Sequence, residues 1–148
     1  MQKSIVEILD AFRKREIELA EAKEGLQQHK QRAEAKKQSI ARAQVPAADQ
    51  EQWNDFIGPG LEVSFQGIVG AASEGLVYLE TRDDEAFKVA VALAAQAVEI
   101  MEVIELRLGL VSKITQLFVE KALNPHEDVV AMENTLSGTA ESSLSFLD

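Results

Sequence analysis

Cysteine is absent from the sequence, which rules out disulfides, thiolate nucleophiles and sulfur-ligated metals and accords with a reducing compartment. Aromatic residues make up only 5% of the chain. Ala, Leu, Val, Ile, Glu and Gln dominate instead, the composition of helical bundles rather than of sheets. Long uncharged runs are missing too: the most apolar of them, residues 89–98, has ten residues, about half of the roughly 20 that a bilayer-spanning helix needs. The opening Met-Gln-Lys-Ser-Ile-Val-Glu lacks the continuous apolar stretch of an export signal. A soluble, cytoplasmic protein is the expectation. With 148 residues, 46% of them hydrophobic, the chain is long and apolar enough to bury the core of one ordinary domain.

Its charge is unevenly spread. Residues 1–44 carry ten Lys or Arg against seven Asp or Glu, and the rest of the chain carries five against eighteen. Such a chain can pair its head with its body, within one molecule or between molecules.

The organising stretch is residues 84–123, which read as one long helix. Phe87, Val91, Ala94, Val98, Met101 and Glu105 lie on one stripe, and Val89, Leu93, Ile100, Ile104, Leu108, Val111, Ile114, Leu117 and Phe118 cover most of the remaining surface. A helix that is apolar nearly all round must be buried by neighbours. Asp83 is placed as its N-cap, and Asn124-Pro125 ends it.

Residues 2–44 form a second long helix, opened by Ser4 with Glu7 three residues on, the capping-box spacing. Ile5, Phe12, Leu19, Leu26, Ala33 and Ile40 recur every seventh residue, half of a coiled-coil seam. The companion stripe starts at Leu9 and then fails through Glu16, Lys23, Lys30 and Lys37. Straight, such a helix is about 60 Å long, more than a compact chain of this size can enclose. It must protrude, break near Gly25, or lie along a partner.

Residues 45–60 form a linker with Pro46 and Gly58-Pro59-Gly60, and a short helical turn that plants Trp53 and Phe56 on the core. Residues 61–82 alternate at Leu61, Val63 and Phe65 as a strand would. Yet Leu61, Phe65, Ile68, Val69, Ala72, Leu76 and Leu79 make a complete helical face, and helix is the better reading. The short link at 82–84 then makes an antiparallel helical hairpin. A short helix ends near Leu136, which completes a unit over 61–136, and a Ser-, Gly- and Thr-rich tail at 137–148 reads as flexible.

Chemistry is sparse. Glu99, Glu102 and Glu105 are the residues most costly to a core and the basis of a metal-carboxylate bundle reading. Di-metal bundles pair such glutamates with Glu-x-x-His, and neither His29 nor His126 is so placed; solvated or ion-paired carboxylates are the plainer reading. The basic stretch Lys30, Arg32, Lys36, Lys37, Arg42 lacks interleaved aromatics, so specific nucleic-acid binding is not expected, and an acidic protein neighbour suits it better. No catalytic residue, cofactor site or metal site is assigned.

The reading is an all-α bundle with a long coiled-coil-like N-terminal helix, acting as a non-enzymatic assembly or adaptor protein. Its partner would be a copy of itself or another helical protein, met through Ile5, Leu9, Phe12, Leu19 and Leu26. The alternative is a membrane-active protein using the Gly-rich apolar segment 61–79.

Overall fold

Ser4 opens the first helix as its sequence demands. Its hydroxyl accepts from the Glu7 N–H at 3.2 Å, while the Glu7 carboxylate accepts from the Ser4 N–H at 2.9 Å. The computed structural model describes residues 3–136, and within them α1 (Ile5–Arg13) ends after nine residues. The expected single helix over 2–44 is therefore two: α2 (Leu19–Arg42) follows a tight reversal. The break lies ten residues before Gly25. Its cause is a Schellman closure, in which the Glu16 N–H donates to the Ala11 carbonyl at 2.8 Å and the Arg15 N–H to the Phe12 carbonyl at 3.0 Å. Arg15 stands at the left-handed position, with φ 62°, where glycine is usual.

The reversal lays α1 back on the rest of the chain instead of letting it protrude. Gly25 stays inside α2, where a Cβ would stand 2.8 Å from Ile8 Cδ1; its role is close approach.

The linker forms a 3-10 turn (Ala47–Asp49) and then α3 (Gln50–Gln52), a π turn (Trp53–Ile57) and α4 (Gly58–Thr81) in unbroken succession. In the π turn the Gly58 N–H reaches the Trp53 carbonyl. A Cβ on Gly58 would stand 2.9 Å from Trp53 Nε1 and 3.0 Å from that carbonyl oxygen, so the bulge requires glycine. It lies directly before Pro59, which has no N–H to continue the ladder.

α4 is the central helix, as its apolar face predicts: Leu61, Phe65, Ala72 and Leu79 are buried, and α2, α1 and α5 pack around it. Residues 61–81 are helical, not part of a hairpin of strands, and no strand occurs among the described residues. Gly75 lets two leucines reach α4 together, since a Cβ there would meet Leu26 Cδ1 at 3.1 Å and Leu9 Cδ2 at 3.4 Å.

α5 (Asp84–Leu106) pairs antiparallel with α4, N-capped by Asp83, whose carboxylate accepts from the Glu85 N–H at 3.0 Å. It does not run on to 123. A 3-10 turn (Leu108–Leu110) and extended Val111 separate it from α6 (Lys113–Leu123). Nor is it buried all round. Ala86, Ala90, Ala94, Ala97 and Ile104 are buried, while Val89, Val98, Val103 and Leu106 are 41%, 49%, 46% and 85% exposed. A last helix, α7, covers 129–136. The tail expected at 137–148 lies outside the described residues.

The architecture is an all-α bundle with two cores. Ile5, Ile8 and Leu9 of α1 meet Ala22, Leu26, Tyr78 and Leu79 in one. Phe118, Val119 and Ala122 of α6 meet Ile40, Trp53, Ile57, Leu61 and Phe65 in the other. Each fully buried Leu or Ile contributes roughly 1.5–3 kcal/mol.

Candidate functional site

Between the two cores the bundle is open. The first turn of α1 on one side and the end of α6 with Pro125 and His126 on the other bound a groove of about 680 Å³. Phe65, Ile68, Ala33 and Ala94 form its floor, Val91, Val98 and Met101 of α5 its apolar wall, and His29, Arg32 and Lys36 its opposite, basic wall on α2. Those three residues fall on successive turns of α2, so one helical face supplies them all.

Each is positioned by a backbone carbonyl. The Lys3 carbonyl accepts from His29 Nε2 at 2.7 Å, which holds α1's first residues against α2. Burial pushes the His29 imidazole below its usual pKa and outweighs the opposing effect of that bond. Arg32 Nη1 donates to the Pro125 carbonyl at 2.7 Å. Lys36 Nζ donates to the carbonyls of Ala122 at 3.0 Å and Asn124 at 2.9 Å. These are the orphan acceptors at the C-terminus of α6, where a cation is favoured. Lys36 is only 2% exposed. Burial, helped by the charge of Arg32 and opposed by Glu127 and Asp128, lowers its pKa to about 8.

The basic stretch is thus largely engaged inside the fold. Lys37 Nζ donates to Gln66 Oε1 at 2.6 Å and Arg42 lies 3.5 Å from Glu133, while Arg13 of α1 lies 3.5 Å from Asp84. Basic head and acidic body meet within one molecule at the Arg42–Glu133 and Arg13–Asp84 pairs.

The five positions expected at a partner interface have other surroundings. Ile5, Leu9 and Leu26 are buried in the core beneath α1. Phe12 is half-buried, edge-on to Tyr78 at 6.4 Å, with the Arg82 guanidinium 4.5 Å over its ring. Leu19 alone is exposed, at 46%. Folding α1 back has covered the seam with the chain's own residues.

Glu99, Glu102 and Glu105 all lie exposed on α5, and no group of three His, Asp or Glu residues able to hold a metal occurs among the described residues. Residues 61–79, the segment considered for membrane contact, lie within the central helix α4. No helix among the described residues is long and apolar enough to cross a membrane.

What the sequence reading missed is the outer face of α5. Val89, Ala92, Gln96, Glu99, Val103 and Leu106 are all exposed and follow one another at alternating intervals of three and four residues. The spacing was visible in the sequence. That this face, and not the opposite one, remains uncovered was not. Comparison with family models, curated proteins and solved structures gives no match.

Proposed function

We propose that this protein is a non-enzymatic assembly module that pairs with a second copy of itself, α5 against α5, in antiparallel orientation. The observation that carries this reading is the uncovered seam of Val89, Ala92, Gln96, Glu99, Val103 and Leu106. Intervals of three and four keep such a stripe facing a neighbouring helix. In a two-fold antiparallel pair the stripe is self-complementary. Val89 meets Leu106 of the second copy, Ala92 meets Val103, and at the centre the Gln96 carboxamide donates to the Glu99 carboxylate, each contact made twice. A central polar layer flanked by apolar ones fixes register.

Light scattering over a concentration series tests the reading. The native chain is expected to give a dimer, and Val103→Asp with Leu106→Asp a monomer of unchanged helicity, since both positions are exposed in the single chain. Glu99→Gln tightens the pair, because the two Glu99 carboxylates flank the axis about one turn apart. A native monomer at every concentration would refute the proposal.

A further inference from the structure

The polar groups of the groove between the two cores are already matched by the protein. Lys36 donates to the Ala122 and Asn124 carbonyls and is faced by Glu127 and Asp128. Arg32 donates to the Pro125 carbonyl, and His29 is bonded to the Lys3 carbonyl. At the mouth the Glu7 carboxylate accepts from the Ser4 N–H and feels the opposite charge of Lys3. No buried side-chain nitrogen or oxygen among the described residues lacks a hydrogen-bond partner. A charged ligand would have to break into these pairings to offset its own desolvation.

What the groove offers instead is shape and apolar surface. Val91, Val98 and Met101 run along α5 for about 15 Å, and at their foot Phe65, Ala33 and Ala94 are only 4%, 3% and 7% exposed. The recess is therefore deep, and it is preformed. His29 ties the start of α1 to α2, and Arg32 and Lys36 tie the end of α6 to the same helix, which fixes the gap between α1 and α6. Its volume of about 680 Å³ lies within the roughly 300–1,000 Å³ of small-molecule sites. A helix about 10–12 Å across laid along the same wall would overfill it, and a bilayer engages a protruding apolar face rather than a recess.

We infer that the groove binds one neutral, elongated, largely hydrocarbon molecule along Val91, Val98 and Met101 of α5, above Phe65; a long-chain alcohol is the simplest member of the class. Such a ligand displaces water that has few free polar partners there, which favours binding. The α5 wall rewards chain length, and the matched polar rim discriminates against charge of either sign.

The inference is independent of pairing through α5, whose seam lies on a different face of that helix. Equilibrium dialysis of the full chain at neutral pH against radiolabelled dodecanol, below its solubility limit, tests it. The expected result is saturable binding of one dodecanol per chain, about tenfold tighter than decanol, with dodecanoate and dodecyltrimethylammonium at least tenfold weaker as competitors. Val98→Glu, at a half-exposed position on the wall, and Ala95→Trp, at an exposed lining position, each reduce dodecanol affinity at least tenfold with the melting temperature unchanged. The Val103→Asp, Leu106→Asp chain binds as the native one does, which separates this site from the assembly reading. No dodecanol binding, equal or tighter binding of either charged amphiphile, retention on phosphatidylcholine vesicles without dodecanol binding, or native affinity in both groove variants would each overturn it.

Discussion

Asp49 and Ser112 stand 63 residues apart in sequence, yet the Ser112 N–H donates to Asp49 Oδ1 at 2.9 Å. The Ser112 and Thr115 hydroxyls donate to the other carboxylate oxygen. The carboxylate thereby sits at the N-terminus of α6, where negative charge is favoured, while Lys36 and Arg32 serve the carbonyls at and just beyond its C-terminus. An eleven-residue helix is too short to be stable alone. It is held from both ends by side chains of distant elements.

Replacing Asp49 with Ala leaves those donors unmatched in a buried place and is expected to cost about 3 kcal/mol, measured by urea unfolding. A loss under about 1 kcal/mol would mean that α6 docks through Phe118 and Val119 without help from its cap.

Asp49 also gives the fold an acid sensitivity of known sign. Burial raises its pKa, but the bonds from the Ser112 side chain, the Thr115 side chain and the Ser112 N–H outweigh this and hold it below the ordinary carboxylate value. A group with a depressed folded pKa adds stability that is fully present above its unfolded value, near pH 4, and fades as pH falls through the folded one. The stability advantage of the native chain over Asp49→Asn is therefore expected to hold from about pH 7 to about pH 5 and to shrink as pH falls from there to about pH 3. An advantage constant across that range would contradict the assignment.

Lys36 has the opposite linkage. Its folded pKa of about 8 lies below the unfolded value near 10.4, so between these values the folded chain holds fewer protons and stability rises with pH. Compared with Lys36→Met, the native chain gains stability from neutral pH to about pH 10. A difference that stays flat or falls would place the ammonium in solvent.

Much of the fold was legible where the signal is local. Ser4 with Glu7, Asp83, and the repeating apolar face from Leu61 to Leu79 each announce their structure within a few residues. The two breaks in the long helices were not legible for the same reason. One is stabilised by Asp49, far away in sequence, and the other uses Arg15 where only glycine would have signalled a stop. The groove draws its lining from α1, α2, α4, α5 and the end of α6, so no single stretch of sequence carries its pattern.

Arg15 pays for that silence in backbone strain. A left-handed conformation costs a non-glycine residue about 1–2 kcal/mol, and its side chain is exposed. Part of the relief from Arg15→Gly is lost to the entropy of the unfolded chain, leaving an expected gain of about 0.5–1 kcal/mol in urea unfolding. Arg15→Val, β-branched, destabilises. If glycine also destabilises, the reversal is held by the Arg15 side chain and not by its backbone.

Phe12 and Leu19 occupy equivalent places in the seven-residue repeat, and a continuous helix would make them equivalent in packing. The Schellman closure lies between them and separates their fates. Phe12 lies against Tyr78, covered by Arg82, whereas Leu19 opens α2 in solvent. Phe12→Asp sets a carboxylate against the Tyr78 ring and is expected to cost about 2–4 kcal/mol, with earlier proteolysis at the 14–18 reversal as α1 loosens. Leu19→Asp, beside the free N–H groups of α2's first turn, changes stability by less than about 0.5 kcal/mol. Equal effects from the two substitutions would restore the uninterrupted N-terminal helix and remove the basis for α1 folding back over Gly75.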